Sequence, residues 1–229
     1  MSILKEERIT DDIVRLTLNR PEKLNALNRE LLVEIKKTVH DLDEAGVPVI
    51  VFEGEGRAFT SGADLDEDEE RIELFQDITW AVRKFDGIVI GKLHGWVVGG
   101  GFEFTLSFDL RYAAPDATFK MTETEIGVVV SNGSTLLLPL TVGPGIAREM
   151  IYTGREVGAD EAADIGLVSG VYEGEELEEK VREVATDLVE NKDRTALRLN
   201  KEGLNNAIPI ERVLEHEAML SRLVHSDYE

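Results

Sequence analysis

The chain has 229 residues, enough for one substantial core or for a core with a small appendage. It carries 46 Asp and Glu against 25 Lys and Arg, a formal net charge of −21, and such a surface is a poor partner for nucleic acid or an anionic membrane, both of which need clustered Lys and Arg. It has no cysteine, which excludes disulfides, thiolate metal sites and a cysteine nucleophile and gives the expectation of a cytoplasmic protein.

The N-terminal run MSILKEERITDD lacks the apolar stretch of a signal peptide. ILKEERI and IVRLTLN alternate around Thr10-Asp11-Asp12 and predict a hairpin. Asn28 is placed to cap a helix whose apolar face is Leu31, Leu32, Ile35, Val39 and Leu42, with Gly46 ending it. VPVIVFEG reads as a buried strand and GRAFTSGADL as a loop. Residues 67–85 read as an acidic helix with Ile72, Phe75 and Ile78 turned inward. IVIGKL is a short strand, and HGWVVGGGFEF a glycine-rich turn into another helix. LRYAA and ATFKM read as strands, GSTLLLPLTV and PGIAREMIY as helices, and LVSGVYE as a last strand.

From Ile126 to Ala147 no residue is charged, a length that could span a bilayer. Pro139, Pro144, four glycines and several hydroxyls break it, so it reads as buried core around a site rather than a membrane helix. After Gly174 three amphipathic helices follow with no strand between them. The expected organisation is therefore an α/β core over residues 1–173 and a helical region over 174–229. The acidic residues spread along the whole chain, with only ten lysines, which suggests a salt-adapted protein. Folding and activity are expected to rise as KCl is raised towards molar levels; full stability in dilute buffer would remove that inference.

Gly99-Gly100-Gly101 stand directly before a helical segment. Glycine lets a ligand approach the main chain, and the first amides of a helix have no intrahelical partner, so such a turn suits an anion. It is not a known phosphate loop, since the order G-x-G-x-x-G is missing and no G-K-[ST] follows. Gly62-Ala63-Asp64 is a second small-residue turn after a strand, and two such turns can each present one N–H to a single oxygen. Glu103 falls in the first turn of the glycine-preceded helix, between Phe102 and Phe104. Glu123 and Glu125 lie just before the uncharged stretch. A carboxylate in apolar surroundings has a raised pKa and suits proton transfer near neutral pH. The four histidines (His40, His94, His216, His225) show no metal-binding spacing, so no metal is expected, and no G-x-S-x-G elbow is present. His94 is read chiefly as shaping the glycine turn.

Four motifs in order, N-R-P-E-K-L-N-A-L at 19–27, R-A-F-T-S-G-A-D-L at 57–65, H-G-W-V-V-G-G-G-F-E at 94–103 with Asp109 beyond, and T-G-R-E-V-G-A-D-E-A-A-D-I-G-L-V at 153–168, resemble the enoyl-CoA hydratase/isomerase (crotonase) superfamily. The resemblance implies an α/β spiral of ββα repeats completed by C-terminal helices that assemble trimers, often paired into hexamers. It implies an oxyanion hole from the N–H groups of Ala63 and Gly100, and catalytic glutamates at Glu103 and Glu123. Glu123 is preferred over Glu125 because Glu123 with Gly127 satisfies the family pattern E-x-x-x-G. Leu24, Ala26, Ala63, Asp64, Leu65, Gly99 and Gly100 fall on the substrate-binding motifs. The implied activity is hydration of an enoyl-CoA, with isomerisation on the same scaffold or non-catalytic acyl-CoA binding as alternatives. The only small-molecule partner implied is the acyl-CoA substrate, with no separate cofactor. Thr122 stands where the family usually has proline, and Val130-Ser131 where it has Pro-Gly. The sequence ends at Glu229, before the final helix whose basic and aromatic residues often touch coenzyme A in relatives, which leaves the contacts to the CoA phosphates open.

Overall fold

A computed structural model describes residues 2–66 and 72–226. The hairpin forms as expected: β1 (Leu4–Arg8) runs antiparallel to β2 (Ile13–Leu18). Asn28 then starts α1 (Arg29–Glu44), its side-chain oxygen accepting the Leu31 amide at 3.0 Å, a cap that contributes about 1 kcal/mol. All five residues of the predicted apolar face are buried.

Beyond α1 the chain repeatedly lays down one strand in each of two sheets and then a helix. β3 (Val49–Gly54) is followed by β4 (Ala58–Thr60) and α2 (Ile72–Lys84). The next unit is β5 (Ile88–Leu93), β6 (Trp96–Val98) and α3 (Gly99–Thr105). β7 (Leu110–Ala113) and β8 (Thr118–Lys120) precede α4 (Ser134–Val142) and α5 (Pro144–Thr153). β9 (Val157–Gly158) leads into α6 (Ala159–Asp164), and α7 (Gly174–Glu190), α8 (Arg194–Asn206) and α9 (Ile210–Ser226) close the chain. The first sheet has the order β1-β2-β3-β5-β7 and the second β4-β6-β8-β9. Apart from the hairpin and the β8–β9 pair, all pairings are parallel.

Because successive side chains of a strand point to opposite faces, the first sheet buries both. Val14, Leu16, Ile50, Phe52 and Val89 face the main core. Ile13, Val49, Val51, Ile88 and Ile90 face outward and are covered by Leu177, Val181 and Ala185 of α7. Fully burying one such aliphatic side chain contributes about 1.5–3 kcal/mol. Across that same face Lys92 and Arg15 each pair with both Glu53 and Glu178. Lys201 on α8 is buried and donates to the carbonyls of Val82 and Gly87 and to Asp109, which ties that helix to the core.

The predicted loop GRAFTSGADL holds β4, and the predicted glycine turn opens with β6. LVSGVYE does not form a strand. Only Val171 bridges Ala113, because the chain turns into α7 at Gly174 before a ladder can extend. The first part of the predicted acidic helix, residues 67–71, lies outside the described residues. The uncharged stretch forms α4 and the start of α5, separated at Gly143. Among the described residues no helix is long and apolar enough to cross a membrane.

Candidate active site

The site is built where two turns from different repeats meet. The turn after β4 contains Gly62 at φ +92°. The turn from β6 into α3 is made at Gly99, the first residue of α3, at φ +53°. A Cβ on Gly62 would stand 2.8 Å from the Val98 carbonyl oxygen and 3.5 Å from the Gly99 Cα, so the main chains approach as closely as only glycine allows. Ala63 forms a parallel bridge with Leu27, in which the Leu27 amide donates to Gly62 O at 2.7 Å and the Asp64 amide to Leu27 O at 3.1 Å. That pattern turns the N–H of Ala63 itself to the other side of the strand. Gly100 is the second residue of α3, where an amide has no intrahelical acceptor.

The motif at 19–27 is a brace for the first turn. Asn25 is fully buried, accepts the Arg20 amide at 2.8 Å, and donates to the carbonyls of Glu55 and Ala58 at 2.9 and 2.8 Å. Leu24, at φ 51°, accepts the Ser61 amide at 2.9 Å, and the Ala26 carbonyl accepts from Arg20 at 2.5 Å. Arg20 also pairs with Asp64 at 2.8 Å. Burial would raise the Asp64 pKa, but the Arg20 guanidinium and the Asp66 amide more than offset it and hold it below its ordinary value.

Ala63, Leu65, Gly99, Gly100, Glu103 and Glu123 line one cavity of about 300 Å³. Leu24, Ala26 and Asp64 lie off its wall, in the brace just described. His94 also lies off it, its ring nitrogen 2.9 Å from the Gly56 carbonyl. Glu125 reaches the cavity rim but is ion-paired to Lys120 at 3.0 Å. Leu65 is 71% exposed at the mouth, and Phe75 of α2 closes the wall behind Gly100.

Glu103, one turn into α3, is 1% exposed. Ser131 engages both its oxygens: the amide donates to Oε1 at 2.6 Å and the hydroxyl to Oε2 at 2.9 Å. Burial pushes the Glu103 carboxyl well above the usual carboxylate range, the neighbouring Glu123 adds to this, and the two Ser131 donors pull back. Glu123, reached after β8, is 6% exposed, and its Oε2 has no hydrogen-bond partner. Its Oε1 lies 3.3 Å from where a Cβ on Gly99 would stand. Burial pushes its pKa up to about 7, against the pull of its own amide and that of Thr122. Val130-Ser131 was expected near the acyl pocket, but Ser131 was not expected as the partner of Glu103. Its departure from the family's Pro-Gly pair was the available signal.

Two main-chain donors from separate turns beside two buried carboxyls are suited to hold a carbonyl oxygen as it gains charge and to move protons at the adjacent carbons. Among the described residues no group of three His, Asp or Glu side chains is placed to hold a metal ion. Residues 8–228 match the family model described as enoyl-CoA hydratase/isomerase. The chain belongs to the enoyl-CoA hydratase/isomerase family. Within the family it is 34% identical over 226 residues to a crotonyl-CoA hydratase of Syntrophomonas wolfei, covering 93% of this chain and 85% of that one. It superposes on a crystal structure of an enoyl-CoA hydratase from Bacillus anthracis with a TM-score of 0.86 at 32% identity, covering 96% of this chain and 89% of that one. It also matches a monofunctional enoyl-CoA isomerase from M. smegmatis, with a TM-score of 0.79 at 30% identity, over 90% of this chain and 94% of that one. The α/β fold with its helical C-terminal region is that of the family.

The raised Glu123 pKa makes a stability prediction. Below the ordinary value of 4.5, folded and unfolded chains both hold this proton. Above it the unfolded chain ionises, while the folded one resists until about pH 7. The contribution of this group to stability is therefore fully present at low pH and is lost as pH rises through that window. Urea unfolding of wild type and Glu123→Gln across the window should show the wild type losing ground steadily to the variant. A constant difference between the two would show that Glu123 titrates normally.

Proposed function

We propose that this protein is an enoyl-CoA hydratase, adding water across the 2,3 double bond of an enoyl-CoA thioester. The observation that carries this reading is the convergence of Glu103 and Glu123 on one cavity with the turns of Ala63 and Gly100. The similarity to a crotonyl-CoA hydratase supports the same activity.

In this reading the thioester oxygen sits between the N–H groups of Ala63 and Gly100, which makes the β-carbon electrophilic. In this reading Glu123 carries the shared proton when water attacks, and the two Ser131 donors support the ionised form of Glu103 against the burial and the Glu123 charge that raise its pKa. A water held between the carboxyls bonds through its oxygen to the β-carbon and gives a proton to Glu103. The π electrons pass to the thioester oxygen as an enolate. Glu123 then delivers its proton to the α-carbon as the carbonyl re-forms. Proton exchange between the two carboxyls restores the starting state. The site's own residues carry every step, and the substrate is the acyl-CoA.

We also propose that the helical region, with Leu199, Leu204, Met219 and Leu223 about half or more exposed, forms the contacts of a homotrimer or a pair of trimers. The deciding experiment for the activity is incubation of pure protein with crotonyl-CoA, following loss of the conjugated thioester absorbance. Rapid loss with formation of the 3-hydroxyacyl product is expected. Double-bond migration without hydration would make it an isomerase, and CoA binding with no turnover on a thioester panel a binding scaffold.

A further inference from the structure

The last helix carries a residue its pattern does not account for. On α9, Ile210, Leu214 and Ala218 recur every fourth residue and are buried, which is the ordinary apolar stripe of a docked helix. Glu217 lies on the same stripe and is 0% exposed. A carboxylate there is costly unless it is fully paired, and this one is. Its Oε2 accepts the Gly133 amide at 2.7 Å, and its Oε1 accepts the Thr135 amide at 2.9 Å and the Thr135 hydroxyl at 2.6 Å. The amides are those that open α4, whose dipole favours a negative charge. Every partner is a donor, which favours the anion, while burial is the larger effect and raises the pKa of the carboxyl.

The segment it grips has two further duties. Ser131 holds both oxygens of Glu103. Asn132, in the left-handed region at φ 58° and fully buried, reaches the Gly100 carbonyl with its side-chain amide at 3.4 Å. The same helix is tied to the cavity wall from the other side, since Gln76, next to Phe75, donates to the Leu214 carbonyl at 2.8 Å. We infer that Glu217 is a positioning residue: it fixes the turn at 131–135 so that Ser131 and Asn132 hold Glu103 and Gly100 in reacting geometry, and it thereby makes assembly of the active site conditional on docking of the C-terminal helix. The inference rests on the reading of Glu103 and Gly100 given above.

The test is Glu217→Gln, assayed with crotonyl-CoA beside the wild type. Its amide would set a donor against a donor at Gly133 or Thr135. A displacement of order an ångström at reacting groups costs about 10²-fold, so kcat should fall by about that factor with KM little changed. Removing the charge that helps raise the Glu103 pKa should also move the acid limb of the pH profile of kcat/KM to lower pH. Glu211→Gln, an exposed change on the same helix, should keep wild-type kinetics. Wild-type kcat and an unmoved acid limb in folded Glu217→Gln would overturn the inference, as would a loss of activity no greater than the unfolded fraction seen in urea. If Glu217→Gln does not fold, Glu217→Asp decides the matter, since it keeps the charge but shortens the reach. A lowered kcat with the acid limb in place supports the positioning role, and wild-type kcat overturns it. Absence of hydration in the wild type itself would overturn the hydratase reading instead, so the two failures are distinguishable.

Discussion

Glu103→Gln and Glu123→Gln are each expected to lower kcat for crotonyl-CoA hydration by about 10²–10⁴-fold, the usual contribution of a positioned proton-transfer group. The substitutions suit the question because each keeps the shape of the side chain. In Glu103→Gln the remaining oxygen can still accept the Ser131 amide, and the Ser131 hydroxyl can turn to accept from the new NH₂ group. In Glu123→Gln the NH₂ group can replace an oxygen that has no hydrogen-bond partner. Both variants should therefore fold, and urea midpoints at low pH should lie near that of the wild type. Loss of hydration in both, with folding retained, is the signature of two carboxyls acting on one water. Hydration that survives either substitution at the wild-type rate would remove that carboxyl from the mechanism. Double-bond migration that survives Glu103→Gln would favour the isomerase.

Gly62→Ala should cost about 10²–10³-fold in kcat/KM, the penalty of losing one oxyanion donor, without altering either glutamate. The new methyl would stand 2.8 Å from the Val98 carbonyl oxygen, at a φ of +92° that side chains rarely adopt. A left-handed φ costs a non-glycine residue about 1–2 kcal/mol, and the close contact forces the turn of Ala63 away from that of Gly100. An oxygen held by both amides would then keep only one. The pH-dependent stability difference between Gly62→Ala and its Glu123→Gln double variant should persist, which separates a widened oxyanion site from general collapse. Undiminished kcat/KM in the folded variant would mean that the two turns do not share one oxygen.

Much of this architecture was legible from the residues. The face of α1 was readable because its apolar spacing and the Asn28 cap agree, and each is a local property of the chain. Both candidate carboxyls could be named because they stand in motifs beside apolar runs. β4, β6 and β9 could not be read, since each is two or three residues beside glycine and forms by pairing with neighbours distant in the chain, whereas β8, no longer, was read within ATFKM. The bracing role of Asn25 and Arg20 was likewise hidden, because their partners, Glu55, Ala58 and Asp64, lie in the following repeat.

What the sequence determined by itself was chemistry type and local form: which residues could carry protons, which turns demanded glycine, which faces would be buried. Tertiary structure alone decided how these come together. Glu103 and Glu123 share a cavity because β7 and β8 return the chain beside α3. Ser131 binds Glu103, and Glu217 holds the turn of Ser131 from a helix 82 residues further on. Hydrogen bonds and burial act through space, so their partners, and the pKa values they set, are fixed only when the sheets and helices have packed.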